Sequence, residues 1–217
     1  MTTYRIKLQA PLREFEAELD RMIRLDAENQ KKYSPGPGRP ASGRLSSRQL
    51  YLLTEGIFFA AYRGFENLVR DVFLLYCLEK RPLSGRSVRS YLAPRSFGHA
   101  EELTLSSMRY LDWTNPEHLL ERAERYLEDG FPIKQALVTR MDTLQDLKRL
   151  RNHIAHTSAE SERAYRVVLR NHYGVVPLRV PSAGEFLLQT DKRDPGRYKL
   201  LAYLEFMRST SRSMVGL

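Results

Sequence analysis

Arg151-Asn152-His153-Ile154-Ala155-His156 is the stretch of this chain whose residue types could do chemistry. Imidazole titrates near neutrality, so His156 can take up a proton and give it back. A guanidinium stays charged and presents a fork of N–H donors that matches two phosphate oxygens. Arg151 therefore suits clamping a phosphate and stabilising charge that builds on it. Four residues separate the two. On a helix, Asn152 and His156 lie four apart and share a face. Arg151 is five residues from His156, about 140° round the helix, but its long side chain reaches the same side near a helix end. Arg149 and His153 have the four-residue relation on a different face. The plain structural reading of these residues is a basic helix C-terminus, with Arg151 near the negative end of the dipole and His156 as a cap. His99, His118 and His172 stand in polar surroundings that point to no chemistry, and His153 reads as a structural neighbour.

A helix must position these groups, and the pattern predicts one. Ile133, Leu137, Met141, Leu144, Leu147, Leu150 and Ile154 recur in steps of three or four, so a helix is expected from Pro132 to Ala155 or His156. A second long helix is expected over residues 47–80, capped by Ser46 or Ser47. Its apolar stripe, widened by Phe58, Phe59, Phe65 and Phe73, marks it as central, with Gly56 and Gly64 as places of close approach or a kink. Further helices are expected at 11–32, 87–92, from Asn115-Pro116 to about 129, at 160–171 and at 197–209. Residues 34–43 hold three prolines and three glycines and read as a loop, one that could touch nucleic acid through Arg39 and Arg44. Val175 to Val180 reads as a short strand or an extended arm, and 191–197 as turns. The expected fold is all-α: a bundle of about six helices built on two long antiparallel helices, with a less regular C-terminal extension. The expected division is 1–45 (first helix and Pro/Gly-rich loop), 46–173 (helical core) and 174–217 (extension).

Composition narrows the partner. The formal net charge is +9, and of 35 basic residues only eight are lysine. Arginine in excess favours a polyanion, and nucleic acid is the usual one. With 42% hydrophobic residues a core can form, and no apolar run is long enough to predict a membrane span. Residues 1–10 lack the apolar stretch of a signal peptide, and a cytoplasmic location is expected. The single cysteine, Cys77, excludes an internal disulfide and a Cys-rich zinc site, and its apolar neighbours predict a buried thiol.

An Arg, four residues and a His is a weak pattern alone. Here it closes a long helix in a helical bundle, with Asn after the Arg and an apolar pair before the His. In that setting the chain, over residues 47–171, resembles the HEPN superfamily of ribonucleases. The resemblance implies metal-independent RNA cleavage by 2′-hydroxyl attack, with no cofactor. Arg151 and His156 would be catalytic and Asn152 would hold the histidine or the phosphate. It also implies a C2 homodimer that brings two motifs into one cleft, since one histidine does not easily serve as both acid and base. An acidic or polar residue on the other long helix is a further family feature, and Glu66 is the candidate, ahead of Asn67 and Asp71. Arg149, Lys148, Arg63 and Arg70 are the expected RNA-binding cations. Some family toxins carry a Tyr two residues after the His that a partner enzyme modifies; Ser158 stands there, so that route of regulation is not expected. The role implied is a toxin, antiviral defence or RNA processing, with an antitoxin or defence-system partner. The alternatives are a non-catalytic HEPN module that binds RNA or nucleotides, and a helical interaction subunit of a defence or toxin–antitoxin system.

Overall fold

The structure, a computed structural model, describes residues 7–34, 41–105, 112–192 and 194–217. Helix α1 spans Gln9–Lys32 and α2 spans Ser47–Cys77, the two longest at 24 and 31 residues. Helix α2 begins with a reciprocal pair: Ser46 Oγ accepts from the Gln49 N–H at 3.3 Å, and Gln49 Oε1 accepts from the Ser46 N–H at 2.9 Å. It ends three residues before the expected Lys80. Glu79 turns into the left-handed region at φ 55°, and the Lys80 N–H folds back to Leu75 O at 3.0 Å. The loop expected at 34–43, with Arg39, falls largely outside the described residues.

Nine α-helices occur among the described residues. The fold class is the expected one, an all-α helical bundle. The count exceeds six for local reasons. The helix expected to run unbroken from Pro132 is α5 (Ile133–Leu137), a 3-10 turn (Val138–Arg140) and α6 (Met141–Ala155). Val138 and Thr139 are β-branched and poor helix formers, and the Arg140 guanidinium takes the Ala136 carbonyl at 3.0 Å, the acceptor an α-helical Arg140 N–H would use. Helix α3 (Phe97–Leu105) starts where Ser96 Oγ accepts the His99 N–H, a short element that Gly98 hides in the sequence. The helix expected at 87–92 is absent: this stretch is extended, and Ser90 forms an isolated bridge with Leu127. Helix α4 (Pro116–Tyr126) starts as expected, with Asn115 Oδ1 accepting the Glu117 N–H.

Contacts divide the chain into two units. The first comprises Met1–Glu16, Gly64–Gln145 and Arg208–Leu217; the second comprises Ala17–Arg63 and Asp146–Met207. In the first, Phe73 packs on Trp113 at 5.5 Å and Tyr76 donates to Met214 O at 2.6 Å. Cys77 is buried there, which pushes its thiol up to about 12 and leaves it unreactive.

The second unit carries the motif. Helix α7 (Ala159–Tyr173) opens with a capping box between Ser158 and Ser161 and closes on Gly174 at φ 82°. Residues 175–182 form an arm without a strand, corrected from the alternative by Pro177 and Pro181, which donate no backbone hydrogen bond. Helix α8 (Ala183–Leu187) follows, then turns, then α9 (Lys199–Val215); of Leu200, Leu201, Leu204 and Met207, which the spacing predicts to face inward, it buries Leu200, Leu204 and Met207 and leaves Leu201 half-exposed. Close helix approach occurs at Gly184 and not at Gly56. A Cβ on Gly184 would lie 2.3 Å from Tyr51 O, whereas one on Gly56 would meet nothing within 4 Å. The Gly184 N–H also donates to Glu55 Oε1 at 2.7 Å, so α8 is pinned to α2.

Candidate active site

His156 stands one residue beyond the end of α6, yet its backbone is held on both sides. Its N–H donates to Asn152 O at 2.9 Å, continuing the helical ladder. Its carbonyl accepts from Ser161 Oγ at 2.7 Å, and the buried Ser161 also reaches Ser158 O at 2.8 Å. The side chain is exposed. The α6–α7 junction therefore fixes the His156 backbone and leaves its imidazole facing solvent.

Arg151 is half-buried on the last turn of α6. Its Nη1 donates to Asn152 Oδ1 at 3.1 Å, and its guanidinium carbon lies 5.6 Å from the centre of the Phe59 ring on α2. An aromatic face at that distance attracts a cation without neutralising it. Asn152 thus engages Arg151 through its side chain and His156 through its backbone. Sequence reasoning missed Phe59 as part of this site. Its place in a broad apolar stripe made it look like core, and the only available signal was its position at the half-exposed edge of that stripe.

His153 faces a different environment. Its ring stacks on Tyr165 at 4.2 Å and 9°, and its Nδ1 has no hydrogen-bond partner. Burial holds its pKa below the usual imidazole value, with the Glu162 carboxylate pulling the other way. A ring packed between α6 and α7, with burial disfavouring its charged form, is a structural group. His172 packs edge-on against Phe186, His99 Nδ1 accepts the Arg95 N–H, and His118 pairs with Asn115.

The expected RNA-binding cations are distributed. Arg149 is bound by Asp146 at 2.9 Å, and the same carboxylate accepts from Asn171 at 3.0 Å, which ties α6 to α7. Lys148 is half-buried and Arg63 exposed, both in the second unit. Arg70 pairs with Asp71 at 2.9 Å in the first unit, where the half-buried Glu66 and the exposed Asn67 also lie. The contacts therefore join Arg151, Asn152 and His156 and add Phe59 and Ser161. Ser158, at the place of the modifiable Tyr, is the N-cap of α7. Comparison of the chain with protein-family models, curated proteins and solved structures finds no match.

Proposed function

We propose that the chain is a metal-independent endoribonuclease of the HEPN type. The carrying observation is that Arg151 and His156 close one helix, the first braced by Asn152 and Phe59 and the second clamped at its backbone with an exposed imidazole. In this reading the RNA 2′-oxygen attacks the neighbouring phosphorus. The O2′–P bond forms, the P–O5′ bond breaks, and the products end in a 2′,3′-cyclic phosphate and a 5′-hydroxyl. His156 moves the proton at one of these oxygens, and the symmetry-related histidine of a second copy serves the other. Arg151 stabilises the charge on the phosphoryl oxygens in the transition state. The net charge of +9 supports RNA as the substrate class. A toxin, defence or RNA-processing role, with an antitoxin or defence-system partner, belongs to the same proposal.

The test is incubation of total RNA with the protein in EDTA, wild type beside His156→Ala. Wild type should cut and leave cyclic phosphate ends, and the variant should be slower by about 10²–10⁴-fold, the usual contribution of a general acid or base. Intact RNA with wild type, or equal cutting by both, sinks the proposal.

A further inference from the structure

A cleft of about 440 Å³ opens at the C-terminal end of α7, lined by Tyr173, Val175, Pro177, Arg179, Pro181 and Glu185 among others. Its walls are built, because the arm that forms one side is anchored twice. The buried Tyr165 hydroxyl donates to Pro181 O at 3.1 Å, and the Gly184 N–H that follows donates to Glu55. On the other side the Tyr173 hydroxyl donates to Gln189 Oε1, and its ring is held edge-on by His172 at 5.0 Å and Phe186 at 6.2 Å.

Two ammonium groups lie 5.7 Å from the centre of the Tyr173 ring. One is the exposed Lys192; the other is Lys199, which is buried and also bonded to Thr190 O at 3.2 Å. Arg179, with its side chain 83% exposed, stands at the cleft and holds Glu185 at 3.0 Å. Asp191 is an acidic group near Lys199. The arrangement is a tyrosine and apolar, donor-poor proline walls, with Arg179 and Glu185 in the lining, the exposed Lys192 beside the tyrosine ring and Lys199 buried behind it. An unpaired nucleotide has the matching parts, a flat base with π-faces and a phosphate. A peptide would match the walls but supply no regular anion for the cations.

We infer that this cleft is a second subsite for single-stranded RNA, taking one base against Tyr173 with the adjoining phosphate toward Lys192 and Arg179. The inference rests on the ribonuclease reading for its substrate class, and binding tests it separately from cleavage.

The experiment is fluorescence anisotropy with a labelled ten-nucleotide oligouridylate, in the His156→Ala background so that the RNA survives. Tyr173→Phe keeps the ring and should bind within about twofold of the parent. Tyr173→Leu removes it and should weaken binding about tenfold, within the range of one base–aromatic stack, with the salt slope unchanged. Lys192→Ala should lower the salt slope by about one, as loss of one phosphate contact does. Lys192 is exposed, so this variant reads the subsite even if Tyr173→Leu fails to fold. Unchanged affinity and slope in Tyr173→Leu and Lys192→Ala overturn the subsite, and RNA cleavage by wild type would then leave the ribonuclease reading standing. A hexaglutamate peptide that displaces the RNA as well as unlabelled oligouridylate does would show charge without base recognition, and would overturn it too. Absence of oligouridylate binding to the parent overturns the subsite, and the cleavage assay then decides the ribonuclease reading independently.

Discussion

At the scale of the residue, Arg151 has two neighbours with different effects. Asn152 accepts one of its N–H groups, and Phe59 lies near its guanidinium. A planar fork uses both, whereas an ammonium offers a point charge. Under the proposed function, Arg151→Lys should therefore lose about 10- to 100-fold in kcat, the worth of one or two charge-assisted hydrogen bonds, with RNA affinity little changed. Single-turnover cleavage at saturating protein checks this, and a Lys variant as fast as wild type would remove the bidentate role. A second residue-scale prediction concerns Asp26, which is buried on α1 and accepts from Tyr198 and Gln30. Burial raises its carboxyl from 3.8 to about 6. The folded state thus holds the proton longer than the unfolded chain does. The stability this contributes is present below pH 4 and is lost as pH rises to about 6. Asp26→Asn keeps an acceptor for Tyr198 and removes the charge. It should raise stability at pH 7 by up to the order of 3 kcal/mol and have little effect at pH 4, as urea melts at the two pH values would show.

At the scale of the element, two junctions can be tested. One is the α6–α7 turn, where Ser161 donates to the His156 carbonyl; the other is the docking of α8 on α2. The contrast between two glycines measures the second. Gly184→Ala drives a methyl group into the Tyr51 backbone and should cost at least about 2 kcal/mol, the usual cost of overpacking where backbone must shift. Gly56→Ala, in open space within α2, should instead stabilise by about 0.5–1 kcal/mol. Thermal denaturation of the two variants checks the pair, and a neutral Gly184→Ala would mean that α8 is not held against α2.

At the scale of the whole molecule, a single proposed catalytic histidine per chain requires a second copy. Sedimentation should find a homodimer at micromolar concentration. Mixing His156→Ala with an excess of wild type should leave mixed dimers with reduced activity. A monomer that cleaves RNA at an undiminished rate would refute the composite site. Excess positive charge should make RNA affinity fall steeply with salt, which a titration between 50 and 200 mM salt measures; a flat response would argue against a polyanion partner.

Much of this was legible along the chain. Helical periodicity is a local property, so the all-α class, α1, α2, the start of α4 at Asn115-Pro116 and the burial of Leu200, Leu204 and Met207 could be read from spacing and caps. The same reasoning placed Arg151, Asn152 and His156 on one helix end, because their relation depends only on the 3.6-residue period. It failed where a local pattern had two outcomes. The 3-10 turn at Val138–Arg140 rests on a guanidinium capturing a carbonyl, and the extended stretch at 87–92 on a bridge to Leu127, a residue far along the chain. Phe59 under Arg151, Ser161 on the His156 carbonyl and His153 against Tyr165 are meetings between helices, and no spacing within one helix encodes them. The chain by itself determined which residues have the means to act on a phosphate. Only the tertiary structure decided which of them are braced, which are packed away, and that a cleft lies beyond α7, because those outcomes depend on contacts between residues distant in sequence.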